Sequence, residues 1–318
     1  MDSAFRVPQR WQDLDLDQLG HRIMILGATD TGKSTFARYL FHRFQDAGAR
    51  VGFLDCDVGQ STIGLPTTLN LIVPAHGLPT AEGGAPFPPN PGAASFVGSI
   101  SPRGHMLPLL VGCQRLLEKA AELAASVLIV DTTGLVDPAQ GGVALKQWKI
   151  ELLRPTTVVA FQRQEELEPI LWPLRVAGNA RVIAMPVSPD VSPRDPLVRA
   201  RRRERLLQAY FAQARKAAFS LRQVPAFDLP RAAAGRLVAL QDRGGYALAL
   251  GVVQTLDREQ GILILRTPLA DISPVCTLRI GTAFLEAMSH RPPTSQNSER
   301  LRPIPPGRRV QREKPGAS

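Results

Sequence analysis

Cysteine and histidine are scarce in this chain of 318 residues, which has three of the first and five of the second. Cys56, Cys113 and Cys276 stand far apart and form no C-x-x-C pair, so neither a zinc site nor a disulfide framework is indicated. They read as buried thiols of a reducing compartment. No apolar run approaches the roughly 20 residues that span a bilayer. Met1-Asp2-Ser3-Ala4 lacks the basic and apolar pattern of a secretory leader. A cytoplasmic protein without a membrane partner is expected. Acidic residues are also outnumbered, 28 against 38 basic ones, and the net charge of +10 calls for an anionic partner. The excess is concentrated in two stretches. Six arginines between Arg194 and Arg205 face only Asp195 and Glu204, and seven basic residues between Arg291 and Ser318 face only Glu299 and Glu313.

Against these absences stands one complete motif. Gly27-Ala28-Thr29-Asp30-Thr31-Gly32-Lys33-Ser34-Thr35 is a Walker A phosphate-binding loop. The apolar run Ile23-Met24-Ile25-Leu26 precedes it as a buried strand. Phe36, Leu40, Phe41 and Phe44 follow at helical spacing up to Gly48, a C-cap. Gly27 and Gly32 let consecutive N–H groups and the positive helix end face a phosphate chain. Lys33 is placed for the β- and γ-phosphates and Ser34 for Mg²⁺.

Further along, Val51-Gly52-Phe53-Leu54 and Val127-Leu128-Ile129-Val130 read as strands that end in carboxylates, Asp55 with Asp57 and Asp131 respectively. Asp131 holds the position of the acidic residue that orients Mg²⁺ through water. Asp57 is expected to be the base that takes the acceptor's proton, and Asp55 a partner on the Mg²⁺ side. No Asn-Lys-x-Asp guanine-reading motif follows, so ATP is the expected nucleotide. Strands at Ser95–Gly98, Thr157–Phe161 and Arg181–Met185 alternate with helical stretches, one of them running from Met106 to Ala120. This alternation predicts an α/β fold with a mainly parallel sheet. Between Leu78 and Gly92 the chain is mostly Gly, Pro and Ala, a surface insertion. After Val224 short apolar runs separated by Gly, Asp and Pro predict a small antiparallel β module. From His290 the composition predicts disorder. The expected division is a P-loop nucleotide-binding domain over 1–223, a small β-rich domain over 224–289 and a disordered basic tail over 290–318.

Four motifs occur in order: the phosphate loop; Asp55-Cys56-Asp57-Val58-Gly59-Gln60; Phe96-Val97-Gly98-Ser99-Ile100-Ser101-Pro102-Arg103-Gly104-His105; and Asp131-Thr132-Thr133-Gly134. Together, from Trp11 to Phe211, they resemble the polynucleotide 5′-hydroxyl-kinase family. That family includes RNA kinases of pre-mRNA, pre-tRNA and pre-rRNA processing and short archaeal relatives. The resemblance implies a P-loop kinase fold and transfer of the ATP γ-phosphate, with Mg²⁺, to the 5′-hydroxyl end of RNA or DNA. It also implies that Asp55, Asp57 and Gln60 lie near the acceptor. Thr132, Thr133 and Gly134 would form a clasp on the phosphates and acceptor end. Arg201 and Arg205, or the overlapping Arg199 and Arg203, match an arginine-rich lid. Leu135 stands where many eukaryotic members carry an aromatic residue after the clasp glycine, and their N-terminal β domain has no counterpart before Gly27. A P-loop ATPase or GTPase switch and an ATP-bound structural adaptor are the alternative readings. His105 reads as an acceptor contact or, nearly as well, a helix start, and Trp11 as a core or edge residue before an adenine cover.

Overall fold

The computed structural model describes residues 7–79, 86–189 and 191–285. The predicted tail, 290–318, lies outside the described residues, as does the 80–85 part of the Gly- and Pro-rich insertion.

The short helix α1 (Gln9–Gln12) leads into β1 (Arg22–Gly27), and the phosphate loop connects β1 to α2 (Lys33–Asp46). Gly32 caps α2 at φ 84°, a left-handed conformation that costs glycine little. At the other end Ala47 is the C-cap. Gly48 follows it at φ 84°, its N–H bonded to the Gln45 carbonyl at 2.9 Å. The chain continues through β2 (Val51–Asp55), β3 (Thr68–Ile72), β4 (Gly92–Phe96), α3 (Met106–Glu122), β5 (Val127–Asp131), α4 (Gly142–Leu153) and β6 (Thr157–Gln162). Next come α5 (Glu168–Ala177), β7 (Arg181–Pro186) and α6 (Pro196–Phe211).

The first sheet has seven strands in the order β4-β3-β2-β5-β1-β6-β7. The five from β2 to β7 run parallel, and β3 is antiparallel to both of its neighbours. β5 is buried at every position because both faces are covered by helices, as its continuous apolar run requires. One core lies under α3, α4 and α5 and a second under α2, where Trp11 packs edge-on to Phe36 at 5.0 Å between ring centres. Trp11 is packed in this core and also lines the cleft described below. The strand expected at Ser95–Gly98 forms earlier, over Gly92–Phe96, because its pairing with β3 runs from Thr68↔Phe96 to Ile72↔Gly92.

A second sheet follows: β8 (Arg215–Ser220), β9 (Ala226–Phe227), β10 (Arg236–Gln241), β11 (Ala247–Asp257), β12 (Ile262–Thr267) and β13 (Thr277–Phe284). Their order is β8-β12-β11-β10-β13-β9. The pairings are antiparallel except for the parallel contact of β13 with β9. The module starts at Arg215, before the expected boundary at 224. β8 is mostly exposed and has no apolar alternation to announce it, yet it pairs with β12 along its whole length. A shared core of Leu65, Ala94, Phe96, Leu207, Phe211, Leu237 and Leu250 joins β4, α6 and the second sheet.

The two sheets also meet backbone to backbone. A Cβ on Gly281 would stand 2.8 Å from the Gly98 carbonyl oxygen, too close for any side chain. That oxygen accepts the N–H groups of Thr282 and Ala283 at 2.8 and 3.0 Å. The Arg103 carbonyl can only accept, so His105 Nδ1 donates to it at 2.9 Å. Nε2 lies 2.9 Å from the Thr282 hydroxyl, which is also 3.1 Å from the Gly98 carbonyl oxygen, so one hydroxyl proton serves two neighbouring acceptors. His105 is the N-cap residue of α3 and ties the 99–105 loop to β13.

Candidate active site

An open cleft of about 1740 Å³ lies at the carboxyl ends of the parallel strands, where open α/β sheets place their ligands. It is lined by the phosphate loop from Ala28 to Thr35 and by Asp57, Gly59 and Gln60. Ile100 to Arg103, Thr133 to Asp137, and Arg199 with Arg203 complete the walls. Gly27, which ends β1, sits behind them. A Cβ there would meet the Thr31 hydroxyl at 2.5 Å, so the loop can turn this tightly only over glycine. Lys33 is buried, and its Nζ donates to the Ala28 carbonyl at 3.3 Å across the loop. Asp30 adopts φ 53°; its carboxylate accepts the Arg194 N–H at 3.1 Å and lies 3.6 Å from the Arg199 guanidinium. Arg163 donates to the Asp30 carbonyl at 2.5 Å.

The strand register places Asp55 opposite Asp131, and Asp131 opposite Ile25. Both carboxylates are fully buried but differ in their partners. Asp55 Oδ1 accepts the Asp57 N–H at 3.0 Å. Its Oδ2 accepts the Ser61 hydroxyl at 2.9 Å and the N–H of Thr62 at 2.6 Å. Among the described residues, neither oxygen of Asp131 has a hydrogen-bond partner. Burial pushes the Asp131 carboxyl up to about 7 against the pull of Lys33; the nearby Asp55 adds to the rise and Ser34 opposes it. Asp55 is likewise raised by burial, opposed by its bonds from Thr62 and Asp57. A hard divalent cation takes oxygen ligands, and an orphaned carboxylate beside the Ser34 hydroxyl is a donor set that fits Mg²⁺. Asp55, expected on the Mg²⁺ side, is instead spent on folding the 57–63 loop and does not line the cleft.

Asp57 does line it. Its Oδ1 accepts the N–H groups of Gly59 and Gln60, both at 3.0 Å, which fixes the carboxylate and leaves Oδ2 outside these bonds. The Gln60 amide donates to the Gly59 carbonyl at 2.7 Å. Thr132 donates its hydroxyl to the Ile25 carbonyl at 2.8 Å and is buried, whereas Thr133 and Gly134 reach the cleft wall. A Cβ on Gly134 would lie 2.7 Å from the Thr29 nitrogen, so this glycine packs directly on the phosphate loop.

Of the two arginine registers expected, one faces the cleft. Arg201 and Arg205 are exposed and line no part of the cleft, while Arg199 and Arg203 do. At 3.6 residues per turn, positions four apart share a helix face and positions two apart point away from each other. Ala200, Leu207 and Phe211 anchor the buried side of α6, and this turns Arg199 and Arg203 toward the phosphate loop. Burial lowers the pKa of Arg203, as does its neighbour Arg199, while Asp57 raises it.

Sequence reasoning did not single out Arg38, Arg163 or two buried lysines of α4. Arg38 lies one turn beyond Ser34 on α2 and within the field of Asp55 and Asp131. Lys146 and Lys149 are completely buried beneath the site. The thiols of Cys56 and Cys113 lie 3.5 Å apart beside Lys149; Cys276, expected to be buried, is partly exposed. A charged residue three positions from another on an otherwise apolar helix face was the only available signal.

The fold and this cleft define a P-loop phosphotransferase-type nucleotide site. The family described as mRNA cleavage and polyadenylation factor CLP1 P-loop matches residues 27–213, and the chain belongs to it. Among relatives, the polyribonucleotide 5′-hydroxyl-kinase of Pyrococcus horikoshii is 27% identical over 312 residues, covering 81% of this chain and 84% of that protein. Its namesake in Pyrococcus furiosus is 34% identical over 204 residues, 64% of this chain and 54% of that protein. The Methanocaldococcus jannaschii kinase is 35% identical over 152 residues, 48% of this chain and 40% of that protein. A solved Clp1p–Pcf11p complex contains a chain that superposes with a TM-score of 0.62 at 13% identity, over 87% of this chain and 76% of that one. That likeness shows the fold.

Proposed function

We propose that the chain is an ATP-dependent polynucleotide 5′-hydroxyl kinase. The observation that carries the reading is Asp57, a carboxylate fixed by two backbone N–H groups on the cleft wall that faces the phosphate loop. A nucleotide-bound scaffold has no use for a base there. The names of the archaeal relatives support the same activity and an RNA end as acceptor.

In this reading the phosphate loop and Lys33 hold the triphosphate, and Asp57 Oδ2 accepts the proton of the 5′-hydroxyl as its oxygen attacks the γ-phosphorus, while the bond from that phosphorus to the β,γ-bridging oxygen breaks and ADP leaves with the electron pair. Arg199 and Arg203 close on the charge spread over the phosphoryl oxygens. Ser34 and Asp131 would hold Mg²⁺, which when bound would supply positive charge against the triphosphate. Asp55 positions Asp57 by holding its loop. The test is transfer of labelled γ-phosphate to RNA and DNA oligonucleotides with a 5′-hydroxyl, beside 5′-phosphorylated controls. Label should appear only on the hydroxyl ends. ATP binding without transfer to either sugar would leave the adaptor reading standing.

Two further results are expected. Mg²⁺ should add to the thermal stabilisation that ATP gives the wild-type protein, and Asp131→Asn should abolish that increment while keeping the part due to ATP alone. An undiminished Mg²⁺ increment in the variant would assign the ion elsewhere. Arg203→Ala should lower kcat by about 30-fold, less than a full arginine finger because Arg199 remains beside it. Arg201→Ala, at an exposed position, should change kcat by less than about twofold. The opposite ranking would assign the lid to the Arg201 and Arg205 register.

A further inference from the structure

We propose that Lys146 is a positioning residue for phosphoryl transfer, acting through the Thr133–Gly134 peptide that it holds from behind. The inference rests on the kinase reading. Lys146 comes from α4, is completely buried, and forms no part of the cleft wall. Its Nζ donates to the Thr132 hydroxyl at 2.9 Å, the Thr133 carbonyl at 2.5 Å and the Thr133 hydroxyl at 3.3 Å. Three oxygens thus surround one nitrogen, and the Thr133 carbonyl, which can only accept, fixes an N–H toward itself.

The direction of each bond has a consequence on the far side. In a planar trans peptide the C=O and the following N–H point in opposite directions. The Thr133 carbonyl is drawn inward to Lys146, so the Gly134 N–H is turned away from the interior, on a segment that lines the cleft. The two hydroxyls divide in the same way. Thr132 accepts from Lys146 and gives its own proton to the Ile25 carbonyl, so it is fully committed. Thr133 only accepts from Lys146, and its proton stays available to the cleft. One buried lysine thus presents two donors, the Thr133 O–H and the Gly134 N–H, beside Thr29 of the phosphate loop. Donors fixed in advance toward an anionic oxygen stabilise charge without reorganising during the reaction. The same lysine joins the end of β5 to the end of β1 through Thr132, so the donor pair keeps register with the loop that holds the triphosphate.

The placement also accounts for a costly choice. A lysine buried solely for stability is poorly matched to this site. Burial, followed by repulsion from Lys149 and Lys33, forces its pKa well below the ordinary range while Asp57 pulls it up. An apolar residue of equal size would pack the base of α4 at lower cost.

The test compares Lys146→Met, which keeps the volume and removes every donor, with Lys146→Gln, which restores a donor without the charge. The expected result for Lys146→Met is a kcat lower by about 30- to 300-fold, somewhat less than the roughly 10²–10³ lost when an oxyanion donor is removed outright, because the donors stay and lose only their support. Its KM for ATP should stay within about threefold. Lys146→Gln should recover about tenfold or more of the lost kcat. A Lys146→Met protein whose kcat falls less than about threefold overturns the proposal. So does a Lys146→Gln protein no faster than Lys146→Met, and so does loss of ATP binding in both variants, which would make the lysine a part of the fold alone. If the wild-type protein binds ATP yet transfers nothing to a 5′-hydroxyl, the kinase reading fails instead. Lys146 is then judged by trapping of ADP with orthovanadate: weaker trapping in Lys146→Met at unchanged ADP affinity upholds it, and equal trapping overturns it.

Discussion

Lys33→Ala is expected to reduce phosphoryl transfer by about 10³-fold or more, with a much smaller loss of ATP affinity. Lys33 is the first residue of α2, buried where the positive helix end and the loop's N–H groups converge. Its Nζ reaches back to the Ala28 carbonyl, a weak partner at 3.3 Å that a phosphate oxygen can replace. The ground-state triphosphate keeps the loop's N–H groups and the helix terminus when the lysine is lost. What it loses is the mobile charge that follows the γ-phosphoryl group as negative charge shifts toward the bridging oxygen. The difference therefore falls on kcat. Steady-state transfer together with direct ATP titration checks this, and a variant with near-normal turnover would show that the chemistry happens elsewhere.

For Asp57→Asn the expected loss in kcat is about 10²–10⁴, the range of a positioned general base. Asparagine keeps the carbonyl oxygen that accepts the Gly59 and Gln60 N–H groups, so the loop should stay in place and ATP binding should persist. Asp55→Asn should behave differently. Its Oδ2 gathers donors from Ser61 and Thr62, and an amide NH₂ turned toward them would confront donor with donor. That variant should lose folding stability and raise the KM for the acceptor as the loop loosens. Denaturant titration beside kinetics separates the two cases. If Asp55→Asn is stable and loses turnover alone, while Asp57→Asn stays active, the roles given to these carboxylates are reversed.

The parts of this site that local sequence could disclose are those fixed by short-range geometry. The phosphate loop, its preceding strand and its helix share one segment, and Asp55 and Asp131 end strands recognisable as unbroken apolar runs. The rest depends on contacts that sequence order hides. The two carboxylates look equivalent as residues, and only the donors of the 57–63 loop separate a structural acid from an orphaned one. The arginine pair was named in both registers, but the choice between them depends on which side of α6 meets the second sheet. β3 escaped notice because Thr68 and Asn70, polar yet wholly buried, interrupt its apolar pattern and satisfy each other instead. α4 was missed for a related reason: Lys146 and Lys149 occupy positions on its inner face that a helical pattern reserves for apolar residues.

The backbone contact between Gly98 and Gly281 bears on how much chain a working fragment needs. Every residue assigned to nucleotide or proton transfer lies before position 204, which would suggest a minimal catalyst ending with α6. Yet the wall formed by Ile100 to Arg103 is pinned from the far end of the chain, through the Gly98 carbonyl and the His105 link to Thr282. Removing β13 would leave the phosphate loop and Asp57 untouched while unpinning the surface opposite them. Such a fragment would bind ATP and lack a firm seat for the second substrate, so the functional boundary of this active site lies some eighty residues beyond its last reactive group.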